Sequence, residues 1–328
     1  MPTASIPSIR EQLDTEGYVV VEDVLDPVLD IQPVLDEYAA VLDGIVNDLY
    51  AQGLISQTFA GLPFVQRLVE VCVASGRNFP QHFDFSLPQN GVTPDTPIHV
   101  GPAVFHALTN PRLLDLVESI IGPEIASNPV QHIRMKLPPR AVAKNAGYSG
   151  LISKTPWHQD NGVVLPEADQ ANILTVWFPL TEATVDNGCL QVIPRSHLTG
   201  LTTHCPAEAG LTIPPTLLPD HLPAVPLPMR PGSVLLMTKR TIHSSLDNVT
   251  SDQVRISMDL RYQPVGEPSG RPAFASAGFI ARSRAHPEQV LRDPAAWARA
   301  WLAIRDQLAA GQHTSPFNRW TADAAVCA

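Results

Sequence analysis

Apolar residues recur at helical spacing through the front of the chain and at strand spacing through its second half. Residues 5–16 pattern as a short amphipathic helix ended by Gly17, and Tyr18-Val19-Val20-Val21 reads as a strand. Asp26-Pro27 opens a helix whose apolar positions Leu29, Leu35, Tyr38, Val41, Leu42 and Ile45 keep their spacing to about Tyr50. Further helices are predicted over 64–74 and from Asn110-Pro111 to Ile121, where Gly122-Pro123 ends the pattern. From there the period changes. Residues 129–138, 173–180, 189–194, 233–238 and 254–263 read as strands, with turns at Asp186-Asn187-Gly188 and Arg230-Pro231-Gly232. A last amphipathic helix, about 294–308, carries Trp297 and Trp301 one turn apart and is expected to pack on the sheet.

Three stretches break the pattern. Residues 78–104 are punctuated by Pro80, Pro88, Pro94, Pro97 and Pro102 with Phe79, Phe83 and Phe85 between them, the profile of a substrate lid. Residues 140–154 form a Gly/Lys/Ser-rich loop, and the Pro-rich 200–230 reads as a rim loop. Many short strands after a run of helices predict a mainly β protein with flanking helices, its core a double-stranded β-helix of the jelly-roll, cupin-like kind. The chain reads as a single domain, 1–328. A helical N-terminal scaffold covers about 1–125, the jelly-roll core about 126–265 and a C-terminal helical tail about 290–328.

Composition narrows the partners. The 33 prolines among 328 residues are about twice the usual share, which suits short strands and ordered loops. A net charge of −10 argues against nucleic acid or an anionic membrane as partner. No apolar run reaches spanning length, and the first residues lack the pattern of a secretory signal, so a cytoplasmic protein is expected. Cys72, Cys189, Cys205 and Cys327 have no metal-type spacing and are read as free thiols in a reducing compartment.

The candidate chemistry starts at Trp157-His158-Gln159-Asp160. On an extended strand His158 and Asp160 point to one side, and His243 stands on a later strand of the same sheet system. Two imidazoles and a carboxylate on one face of an ion leave the opposite positions open, the arrangement of non-haem Fe(II) oxygenases. The pair alone is weak: 11 histidines and 20 aspartates give roughly 0.7 His-x-Asp pairs by chance, and His82-Phe83-Asp84 and His286-Pro287-Glu288 are decoys. His158 is singled out by the regular strands that follow it. His99, His106 and His132 are weaker candidates to face substrate, and His204, His221 and His313 read as exposed or structural.

In VRISMDLRYQP, Val254, Ile256, Met258, Leu260 and Tyr262 take one strand face and Arg255, Ser257, Asp259 and Arg261 the other. A polar face inside a jelly roll implies a cavity for an anionic cosubstrate, which Arg255 can grip through two parallel hydrogen bonds. Arg261 is expected to pair with Asp259 or another acid on a solvated face.

The segments TPWHQD, WFPLTEATVDNGCLQVIPRSH, PGSVLLM, IHSSLDNVT and VRISMDLRYQP resemble the phytanoyl-CoA dioxygenase family of Fe(II)/2-oxoglutarate oxygenases, over roughly 15–25 and 129–264. The resemblance implies that His158, Asp160 and His243 ligate Fe(II) and that Arg255 binds the distal carboxylate of 2-oxoglutarate, helped by Ser245. It further implies that Trp177 lines the cosubstrate pocket and that Lys136, in the MKLPP segment, touches the cosubstrate. His197, in IPRSH, is given a supporting role. Relatives that halogenate lack the carboxylate ligand; Asp160 is kept here, which favours hydroxylation with O2 as oxidant. Two departures stand out: Gly232-Ser233 where the family often has Gly-Asp, and a long loop from Ala141 to Lys154.

The expected substrate is a small, partly apolar metabolite. A CoA thioester would want a basic rim, for which Lys144, Lys154, Lys239 and Arg240 are the candidates. Two rival readings remain at this level, a cupin-like metal-dependent hydrolase and a non-catalytic jelly-roll binding protein. Oligomeric state is not readable from these residues.

Overall fold

The computed structural model describes residues 8–144, 150–207, 210–312 and 315–327. Ile9–Glu16 (α1) starts at a capping box in which Ser8 and Glu11 satisfy each other's backbone N–H groups. It leads into Tyr18–Val21 (β1), and residues 5–7 of the predicted helix lie outside the described chain. Asp26 caps the next helical run, a wide turn over Pro27–Ile31 continued by Gln32–Ala51 (α2). Phe64–Ser75 (α3), the short Pro80–Phe83 (α4), Pro102–Leu108 (α5) and Pro111–Ile121 (α6) complete the front.

The segment 78–104 turns two of its three aromatics inward. Phe83 and Phe85 are buried in the main core, and Phe83 meets Tyr38 of α2 edge-on at 5.7 Å. His99 pairs with Glu37 of α2 at 2.7 Å, and His106 is exposed. Its aromatics are drawn inward because the helices leave an apolar face to cover.

Ile125–Ser127 (β2), His132–Lys136 (β3), Leu174–Pro179 (β4) and Leu190–Val192 (β5) are followed by a small hairpin, Cys205–Ala207 (β6) and Gly210–Thr212 (β7). Then come Val225–Leu227 (β8), Val234–Thr238 (β9), His243–Ser245 (β10), Arg255–Pro264 (β11) and Phe279–Arg282 (β12). The larger sheet runs β1-β9-β4-β11-β2-β12, with β3 also paired to β11; the smaller runs β10-β5-β8. Every pairing among these strands is antiparallel. Two facing antiparallel sheets with helices on one outer side are the jelly-roll architecture.

Alternation assigns the faces. On β9, Val234 and Leu236 join the helices in the main core, while Leu235 and Met237 point between the sheets toward Trp177, Leu190 and Val192. On β11 the apolar residues 256, 258, 260 and 262 also belong to the main core, so residues 255, 257, 259 and 261 face the barrel interior and are buried there. The alternation predicted from the sequence holds, and the polar face is enclosed as expected, with Arg261 buried in it too.

Pro294–Ala309 (α7) buries Trp297 and Trp301, as its pattern predicts. Its neighbours are not the sheet: Trp297 lies 5.8 Å from Phe105 of α5, and Trp301 lies 5.4 Å from Phe274 in the turn Pro272–Ala277. Cys205 and Cys327 form a disulfide across 122 positions, their Cα atoms 5.4 Å apart. The expectation of four free thiols is therefore corrected: Cys72 and Cys189 are free and buried, and the other two are joined. Scattered spacing carries no sign of a cross-link that only folding brings into range.

Candidate metal centre and cosubstrate cradle

His158 is not on a regular strand. It forms an isolated antiparallel bridge with His243, each donating its N–H to the other's carbonyl at 3.0 Å. That bridge extends the smaller sheet past β10 and brings the two rings to 4.2 Å between centroids. Asp160, two residues on, opens a single tight turn, Asp160–Val163. One ligand-capable atom from each of His158, Asp160 and His243 lies within 4.8 Å of the others, and all three residues are buried.

The surroundings fix which atoms face inward. The Nδ1 of His158 donates to Pro156 O at 2.9 Å, and that of His243 to Thr241 O at 3.0 Å. A carbonyl can only accept, so each ring keeps its Nε2 lone pair free for an ion. Burial, and next the neighbouring His243, pushes His158 down to about 3, which keeps it neutral. Burial alone would raise Asp160, yet the Arg261 guanidinium, with His243 and His158, holds it below the usual carboxylate range. Neutral imidazoles and an ionised carboxylate are the states a divalent cation requires, so the donor set fits a metal.

Gln159, between His158 and Asp160, is the residue that sequence reading passed over. It is fully buried, its Nε2 donates to Gly200 O at 2.8 Å and Arg240 O at 2.7 Å, and its Oε1 accepts from Thr202 N at 2.8 Å. Its backbone N–H donates to His204 Nε2 at 2.8 Å, which makes His204 a buried structural histidine. Gly162 lies so close to that ring that a Cβ would fall 2.2 Å from its Cε1. Residues 317–320 close over the same turn. Arg319 donates to Asn161 O at 3.2 Å and grips Asp169 with both terminal nitrogens at 2.7 and 2.8 Å. Trp320 Nε1 donates to Gly162 O at 2.7 Å, and its ring stacks on His204 at 5.5 Å. Arg271 ties Phe317 O and Val163 O together, at 2.6 Å each.

Along the interior face, Arg255 of β11 and Lys136 of β3 are cross-strand partners. Arg255 Nε donates to Gly188 O at 3.0 Å, one terminal nitrogen donates to Ser257 Oγ, and the guanidinium lies 5.5 Å from the Trp177 ring centre. Gly188 has φ +90°, and a Cβ there would meet Leu246 O at 2.9 Å, so this turn needs glycine. Among the described residues the buried Arg255 Nη2 and Trp177 Nε1 donors have no hydrogen-bond partner. Burial, and next Arg134, pushes Arg255 down to about 9. Lys136 is also held well below its usual value, by burial and then by Arg255 and Arg134. Its ammonium donates to Gly150 O at 2.8 Å, Thr155 Oγ1 at 3.0 Å and Ser153 O. Ser245 Oγ accepts from Thr155 N at 2.8 Å, and its own proton stays available to donate.

Among the described residues neither Lys136 nor Arg255 has a carboxylate partner, whereas Arg134 is paired with Asp259 at 2.8 Å. Two buried cations without counter-charge, beside two orphaned donors, fit an anion with carboxylate oxygens. Arg261 is not on a solvated face; it is buried against Asp160 itself. His132 pairs with Asp84 at 2.8 Å, and the Nε2 of His197 meets Asp14 O at 3.0 Å, a structural contact. His221 is exposed, and His313 lies outside the described residues.

The sequence profile of the phytanoyl-CoA dioxygenase family matches residues 13–257, from α1 to Ser257 on β11. The 1-deoxypentalenic acid 11-beta-hydroxylase of Streptomyces arenae is 34% identical over 125 residues, 35% of this chain and 43% of that protein. Phytanoyl-CoA dioxygenase domain-containing protein 1 of Rattus norvegicus is 29% identical over 163 residues, 47% of this chain and 50% of that protein. The matched stretches thus span about half the length of these two relatives or less. The solved structure of the apo non-heme monooxygenase ThoJ superposes with a TM-score of 0.58 over 93% of this chain and all of its own (100%), at 18% identity, a likeness of fold.

Proposed function

The chain belongs to the phytanoyl-CoA dioxygenase family of non-haem iron, 2-oxoglutarate-dependent oxygenases, and on that premise we propose that it oxidises a C–H bond of a small, partly apolar metabolite, with hydroxylation as the outcome. His158, Asp160 and His243 hold Fe(II), and Arg255, with Ser245 and Trp177, holds 2-oxoglutarate; Lys136, its N–H groups committed to Gly150 O, Ser153 O and Thr155 Oγ1, contributes charge beside them. One observation carries the reading: the His/Asp/His cluster shares a buried interior with two cations that have no carboxylate partner among the described residues. A hydrolase using the same three ligands would leave both cations idle.

Fe(II) with 2-oxoglutarate and O2 supplies the oxidising power, with succinate and CO2 released. This chain's residues bind, orient and exclude water. The two Nδ1–carbonyl bonds aim the imidazoles, and with the Asp160 carboxylate these residues would hold the ion. Arg255 and Lys136 balance the charge of the dicarboxylate, and the Trp177 ring walls the cradle from water.

The substrate class rests on the rim. Lys239 donates to Ala168 O at 3.1 Å, Asp169 O at 2.6 Å and Ala171 O at 2.5 Å, so it is not free for phosphates. Lys154 pairs with Asp247 at 3.4 Å. That argues for a small metabolite over a CoA thioester, and the Streptomyces arenae relative is named as a hydroxylase of a carboxylic acid. No helix among the described residues is long and apolar enough to cross a membrane. The test is anaerobic reconstitution with Fe(II) and 2-oxoglutarate, admission of O2, and measurement of succinate. Stoichiometric succinate supports the reading; none, from protein that binds Fe(II), overturns it.

A further inference from the structure

Beyond the three ligand-capable residues and the cosubstrate cradle, the interior contains a second charge system. Arg134, Asp259, Arg261 and Asp160 alternate in sign along one buried line. Arg134 donates to Asp259 Oδ2 from two nitrogens, at 2.8 and 3.2 Å, and Asp259 Oδ1 lies 3.7 Å from Arg261. Arg261 donates to Val130 O at 2.6 Å from one terminal nitrogen and to Asp160 Oδ1 from the other. Asp160 Oδ2 accepts from Thr175 Oγ1. Every member except Arg134 is buried. Arg261 lies beyond the stretch matched by the family profile, which ends at residue 257.

A buried pair of this kind is weak evidence for stability, because apolar residues of similar volume often serve as well. Its geometry is more telling. Oδ1 of Asp160 is the oxygen on the cluster side, 3.8 Å from His158 Nε2, and the other oxygen is turned to Thr175. To offer both oxygens to one ion, the carboxylate would have to rotate away from both donors at once. The two donors therefore restrict it to one-oxygen ligation. A carboxylate bound through both oxygens would take one of the three positions that a chelating cosubstrate and O2 need. The clamp also sets a fixed positive charge beside the ion, which opposes cation binding at short range.

We propose that Arg261 is a positioning residue that clamps Asp160 in one-oxygen ligation, trading metal affinity for an open coordination position. The inference rests on the metal reading above. It predicts a split that general damage to the site would not produce. Releasing the carboxylate and removing the cation tightens metal binding, while the position lost to the second oxygen weakens 2-oxoglutarate binding.

The test titrates Co(II) into metal-free wild type and Arg261→Gln, then titrates 2-oxoglutarate into each Co(II)-loaded protein without O2, following the visible Co(II) bands. In Arg261→Gln the Co(II) affinity rises and the 2-oxoglutarate affinity falls, each about tenfold, equivalent to about 1.4 kcal/mol. Arg261→Lys, which keeps the charge, stays within threefold of wild type in Co(II) affinity. Thr175→Val, nearly isosteric, frees the other oxygen and shifts both affinities the same way, about threefold, and serves if Arg261→Gln does not fold. A folded Arg261→Gln or Thr175→Val that binds both as wild type does, or both more weakly, overturns the clamp and leaves the metal reading standing. Wild type that binds no Co(II) removes the metal reading and the clamp with it.

Discussion

Lys136 and Arg255 face each other across an antiparallel strand pair inside the barrel, both buried, with no carboxylate partner among the described residues. Burial, and next Arg134, lowers the proton affinity of Arg255, and burial, then Arg255 and Arg134, lowers that of Lys136, so the pair is poised for an anion. Arg255→Ala is expected to raise the 2-oxoglutarate concentration for half-maximal succinate formation by at least about tenfold, since hydrogen bonds to charged groups contribute about 1.5–3 kcal/mol. The change in maximal rate is smaller. An unaltered requirement would mean that the anchor has been misassigned.

His158→Ala and Asp160→Ala should each abolish succinate formation while circular dichroism stays that of wild type. Both side chains face the cluster, and the fold is held around them by backbone bonds and by Gln159. Full turnover in either variant would take these residues out of the chemistry.

Acid stability should report on His204. It is fully buried, donates from Nδ1 to Thr202 O and accepts from Gln159 N, so only its neutral form fits. Burial depresses it to about 4, from 6.5 in the unfolded chain. Below 6.5 the unfolded state therefore binds the proton first, and stability falls as pH drops from about 6.5 toward about 4. At about 1.4 kcal/mol per pH unit, this one group contributes about 2–3 kcal/mol across the window. His158 adds a slope of the same sign. Chemical unfolding at several pH values should show His204→Gln with a flatter acid limb than wild type; an identical limb would refute the assignment.

Peptide mapping without reduction should recover residues 205 and 327 in one cross-linked species, with Cys72 and Cys189 alkylated only after unfolding. Burial raises the Cys72 thiol to about 11, which slows its reaction further. Cys327→Ser should lower stability by about 2–5 kcal/mol, as expected for a cross-link closing a long loop. A melting temperature unchanged by that substitution would show that the tail is held by its other contacts alone.

The parts of this fold that were legible in the sequence are those that follow from alternation. The VRISMDLRYQP strand, its two faces and the placement of Arg255 on the polar one were readable because period two fixes sides. What alternation cannot give is a partner. Arg261 reads as an acid's partner and is one, but on an enclosed face and not a solvated one, and its reach to Asp160 depends on how the turn after His158 folds. The aromatics of 78–104 suggested a lid because prolines hide the apolar surface waiting in α2. Gln159 gave no signal at all, since an amide between two ligands looks like a spacer until its bonds to residues 200, 202 and 240 are seen.

The contacts of Arg319 and Trp320 with Asn161 and Gly162 bear on how this barrel can be re-engineered. A chimera grafted at the boundary of the family profile, residue 257, would inherit the cluster without the wall that backs its tightest turn. The smallest transplantable unit is therefore longer than sequence similarity suggests. It must include the segment that returns, some sixty residues later, to brace the turn after Asp160.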